Sequence, residues 1–76
     1  MAFIEMTGAT LRAILLEDEL PPGGLPAAGV DDASIVRVNR QGDIEVRRSR
    51  GWEVVGGLIG SFEQRIREKT GLDWSV

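Results

Sequence analysis

"IVRVNRQGDIEVRR", residues 35–48, decides the fold. Val36 and Val38 alternate with Arg37 and Asn39, and Ile44 and Val46 alternate with Glu45 and Arg47. A period of two in each run is the pattern of half-buried β-strands. Between the runs, Arg40, Gln41 and Gly42 fit a three-residue hairpin loop, a type I turn closed by a left-handed glycine as a bulge. Pairing Asn39 with Asp43 sets Val38 opposite Ile44 and Val36 opposite Val46. All four apolar side chains then share one face. On the other face this reading sets Arg37 across from Arg47, with Glu45 beside them. The hairpin unit is therefore placed over residues 34–49.

Upstream, "AFIEM" at 2–6 reads as a short strand. In "TLRAILLEDEL", Leu11, Ile14 and Leu15 fall at i, i+3 and i+4, with Leu20 near the same stripe. That spacing predicts a helix over about residues 9–19, with Thr7 or Thr10 as its N-cap. Glu17, Asp18 and Glu19 oppose it, because negative charge is unfavourable at a helix C-terminus. A strand over 11–16 is the alternative. Pro21 and Pro22 stop the element, and "PPGGLPAAGVDD" follows as a connection that Leu25 and Val30 can pin to the core.

Downstream, Trp52, Val55, Ile59, Phe62 and Ile66 recur at i, i+3, i+7, i+10 and i+14. The stripe predicts one amphipathic helix over about residues 51–69, with Trp52 in the core. Lys69-Thr70-Gly71 is a suitable end, a cation in the last turn followed by glycine. Gly56, Gly57 and Gly60 conflict with it, since each costs about 1 kcal/mol relative to alanine inside a helix. The competing reading makes "WEVV" a third strand and starts the helix near Ser61, with Gln64 completing a capping box. The tail "GLDWSV" is expected to fold back, using Leu72 and Trp74 as a lid.

The fold class implied is α+β in a single small domain over residues 1–76. A small antiparallel sheet centred on the hairpin packs against a C-terminal amphipathic helix and an N-terminal helix, in the order β-α-β-β-α. A chain this short buries only about 60% of the surface its unfolded form exposes, so its stability margin is thin unless it associates.

Cysteine, histidine and tyrosine are absent from the 76 residues. No disulfide, thiolate metal site, Ser–His or Cys–His pair or His-bound zinc can be built from this chain. No cofactor is implied. The acids at 17–19 and 31–32 read as solvated, because consecutive residues of a helix point in different directions. "GGLIG" lacks the Gly-Lys-Ser/Thr ending of a phosphate loop. No apolar run is long enough to span a membrane, and the N-terminus lacks the basic start of a signal peptide, so a cytoplasmic protein is expected.

The net charge of −3 is unevenly spread. Residues 1–33 carry six acids against Arg12 alone. Residues 34–50 carry Arg37, Arg40, Arg47, Arg48 and Arg50 against Asp43 and Glu45. These arginines are the candidate contacts for a partner or for nucleic acid. Gly56 and Gly60, which permit close backbone approach, and Trp74, a residue type enriched at interface hot spots, are the candidate interface. "VRVNRQGDIEVRRS" also resembles the AbrB/MazE-type DNA-binding hairpin: a strand, a basic-polar turn with glycine, then an Ile-x-Val strand. The resemblance implies a nucleic-acid role for the hairpin over residues 37–50, with no individual residue role carried over. That family continues into a Pro-led helical turn, where this chain has "RRSRGW". The expectation is a non-catalytic interaction module or accessory subunit that self-associates or binds another protein. Nucleic-acid binding through the arginine hairpin is the alternative.

Overall fold

The computed structural model describes residues 2–74. The elements run β1 (Ile4–Thr7), α1 (Gly8–Ile14), a 3-10 turn (Glu17–Glu19), α2 (Gly24–Ala27), β2 (Ile35–Val38), β3 (Asp43–Arg48), β4 (Gly51–Gly57) and α3 (Phe62–Thr70). The four strands form one antiparallel sheet in the order β1-β2-β3-β4. The fold is α+β, with α3 and α1 on the same face of the sheet.

The hairpin register is the one its pattern demands. Val36 pairs with Val46 and Val38 with Ile44, and all four are buried. Gly42 has φ 89°, and its N–H donates to the Asn39 carbonyl to close the turn. The Asn39 side chain accepts from the N–H of Gln41 and of Asp43, both at 2.9 Å. Gly42 is also required sterically, because a Cβ there would lie 2.8 Å from the Leu58 carbonyl oxygen. β1 extends the inner face, placing Ile4 beside Val38 and Met6 beside Val36. One detail of the outer face differs from expectation: Arg37 pairs with Glu45, and Arg47 pairs with Trp52 of β4. The register that aligns the valines leaves Arg37 no position opposite Arg47.

The long C-terminal helix is corrected. Residues 51–57 are β4, and the helix starts at Phe62. The glycine penalties decide against the helix, and the strand gains a full ladder to β3. A bulge between Ile44 and Glu45 leaves Val55 as the extra residue of β4. Trp52 is consequently not in the core. It is half-buried on the outer face, Ile59 is exposed, and only Phe62 and Ile66 of the stripe are buried. Ser61 is the N-cap of α3 without a side-chain capping bond, and Gly71 ends it at φ 76°.

The first helix is also shorter than its stripe suggests. Thr7 caps it through its hydroxyl, which accepts from the Thr10 N–H at 3.2 Å, and it ends at Ile14. Leu11 and Ile14 are buried, whereas Leu20 is exposed. The connection is ordered around α2 and pinned by buried Leu25 and Val30. In the C-terminal tail, Leu72 and Trp74 pack against the core, and Ser75 and Val76 lie outside the described residues.

Candidate functional site

The helices cover one face of the sheet, and the other carries the charged alternate residues of β1, β2 and β3 beside Trp52 and Val54 of β4. Its central row runs Glu5–Arg37–Glu45–Val54 across β1 to β4. The adjoining row holds Thr7 and Ile35, then Arg47 and Trp52. Arg37 sits in the middle, its guanidinium carbon 3.8 Å from the Phe3 ring centroid and 4.1 Å from that of Trp52. Its Nε and Nη2 both donate to Glu45 Oε1, at 3.1 and 2.9 Å. Cation–π contacts of this kind contribute about 0.5–2 kcal/mol each, more as water is excluded. With side-chain exposures of 20% for Arg37 and 13% for Glu45, the pair is largely withdrawn from solvent. Around it Ile35 and Val54 remain 41% and 60% exposed. An outer sheet face normally carries polar residues, so an arginine clasped by two rings with uncovered aliphatics beside it is the unusual feature here.

The fold separates the five candidate arginines. Arg37 is held as described. Arg40, in the hairpin turn, lies 4.7 Å over the Trp74 ring. Arg48 faces the helical side, where it donates to the carbonyl oxygens of Ala28 (2.7 Å) and Gly29 (3.0 Å) and pairs with Glu53. It therefore fastens the connection around α2 to the sheet. The Arg47 and Arg50 side chains are exposed and make no ion pair or hydrogen bond among the described residues. Of the candidate interface residues, Gly56 faces Pro21 and the Glu19 carbonyl of its own chain. Gly60 lies in the turn before α3 at φ 67°. Trp74 meets Phe62 edge-on at 6.3 Å and donates its indole N–H to Glu63 at 3.0 Å.

One acid is corrected outright. Glu17 and Asp18 are exposed, but Glu19 is 4% exposed. Its carboxylate receives both Arg65 Nη atoms at 2.7 Å and the backbone N–H groups of Ile59 (2.7 Å) and Leu16 (2.9 Å). Burial alone pushes its pKa up. The Arg65 hydrogen bonds and the Ile59 and Leu16 amides outweigh burial and hold the carboxyl below its ordinary value. This site is structural: it ties the 3-10 turn to the loop between β4 and α3. No local signal marks it, since its partner lies 46 residues away.

An open cleft of about 410 Å³ beside the hairpin turn is lined by Ala2, Phe3, Asn39, Arg40 and Gln41. Another of about 710 Å³ lies between α1 and the α2 connection, at the exposed Arg12–Asp32 pair. No group of three or more acids among the described residues is placed to hold a metal ion, and no helix is long and apolar enough to cross a membrane. No family model, curated protein or solved structure matches the chain. The hairpin resemblance rests on residues 36–49, and the chain turns directly into β4 where the Pro-led helical turn is expected.

Proposed function

We propose that this chain is a small intracellular interaction module or accessory subunit, non-catalytic and self-associating, that binds through the outer face of its sheet. The observation that carries this reading is the ring-clasped Arg37 with Ile35 and Val54 uncovered beside it. Aromatic and arginine side chains dominate protein interface hot spots, and this face joins both to aliphatic surface. Its acids favour a protein over a polyanion, because Glu5 and Glu45 flank Arg37 and repel phosphate. Light scattering over a concentration series tests the reading. A mass rising above the 8.3 kDa of one chain is expected, and a constant monomer at high concentration contradicts it.

The second reading, nucleic-acid binding, is favoured by exposed Arg47 and Arg50, which lack an anionic partner among the described residues. Phosphate contacts release counterions, so this reading requires retention on DNA or RNA at low salt that falls steeply as salt rises. The 260/280 absorbance ratio of the purified protein separates the two readings.

A further inference from the structure

We infer that the occupant of the outer face is a second copy of this chain, related by a two-fold axis parallel to the strands between β2 and β3. The inference rests on the binding reading above and specifies its partner and register. An isologous interface needs a self-complementary surface, and the middle of this face is one. Along the central row the side chains run anionic Glu5, cationic Arg37, anionic Glu45, then apolar Val54. The stated axis lays β2 over the partner's β3 and β1 over the partner's β4. Arg37 then faces Glu45 of the partner subunit, and the reverse. Trp52 falls over the partner's Thr7, a large side chain over a small one.

Glu5 and Arg47 supply the second pair. Neither has an ion-pair partner among the described residues, although both stand on the outer face. Within one chain β2 lies between them. Across aligned sheets packed about 10 Å apart, Glu5 lies diagonally against Arg47 of the partner subunit, within reach of two long side chains. The two-fold makes this pair twice. A polyanion does not fit the same surface, because it meets Glu5 and Glu45 on either side of Arg37.

The test is sedimentation of the wild type, Glu5→Arg, Arg47→Glu and the double reversal, with thermal melting of each as the folding control. Like charges set opposite one another across an interface are strongly unfavourable. Each single reversal is therefore expected to weaken association by about tenfold or more, and the double reversal to restore it. A dimer indifferent to both single reversals overturns the two-fold while leaving self-association standing. A wild type that stays monomeric overturns both. Should a single variant fail to melt cooperatively, Glu5→Gln and Arg47→Gln replace the reversals, and each is expected to weaken the dimer to a smaller degree. Low-salt nucleic-acid retention that is lost in Arg47→Glu, without any change in mass, overturns the second copy in favour of a polyanion.

Discussion

Glu19 is the buried charged residue of this small domain among those described. Its carboxylate takes four hydrogen bonds, one from the Leu16 amide three residues before it and three from the distant Ile59 amide and Arg65 guanidinium. Removing one partner of a buried ion pair leaves the other charge uncompensated, at a cost of about 3–5 kcal/mol. A domain of this length holds only about 4–11 kcal/mol in total. Glu19→Gln is therefore expected to lose a large part of the stability measured by urea denaturation. The pH dependence has a definite sign. The folded-state pKa lies below the ordinary value, so the unfolded chain binds the proton first as pH falls. The contribution is complete above the unfolded carboxyl's pKa and is lost as pH drops through the folded one. Denaturation midpoints should fall below about pH 4.3, the ordinary glutamate value, and Glu19→Gln should fall less steeply there. Gly42 is a second sensitive position. Its φ of 89° alone costs an L-residue about 1–2 kcal/mol, and the Leu58 oxygen leaves no space for a Cβ. Gly42→Ala is expected to destabilise by at least that much on thermal unfolding. The two residues differ in legibility. Gly42 was readable because a turn of known type fixes its conformation locally. Glu19 was not, because Ile59 and Arg65 reach it only through the tertiary fold.

At the level of elements, the hairpin was legible for a physical reason: turn chemistry and alternation specify one register independently, and they agree. β4 was legible only as the competing reading, a third strand at "WEVV" with the helix starting near Ser61, because its apolar residues also fit a helical period over "GWEVVGGLIGSF". The bulge at Val55 breaks strict alternation and hides the strand. The glycines carried the correct information, and the stripe overrode it. The arginines divide in the same way. Their number was plain, but the fold gives Arg48 to the α2 connection and Arg37 to the outer face. Arg48→Ala removes two charge-assisted hydrogen bonds to carbonyl oxygens, each contributing about 1.5–3 kcal/mol. Hydrogen exchange should accelerate over residues 24–30 in that variant while α3 keeps its protection. Uniform acceleration across the chain would instead mean that Arg48 acts on global stability alone.

For the whole molecule, the uneven charge of the sequence resolves into two arrangements. Some of it is matched within the chain, as in Arg12–Asp32, Arg37–Glu45, Arg48–Glu53 and Arg65–Glu19. On the outer face Glu5 and Arg47 have no such partner within the described residues, and a second copy covering the sheet supplies one. The central claim is therefore about which surface is covered, and the two tryptophans report on it separately. Trp52 lies on the outer face, whereas the Trp74 indole is tied to Glu63 on the helical side. The direct measurement is a nitrogen–proton correlation spectrum of the indole N–H groups over a dilution series. The account predicts that the Trp52 resonance shifts progressively with concentration while that of Trp74 stays fixed. A stationary Trp52 resonance, or a shift confined to Trp74, would contradict it.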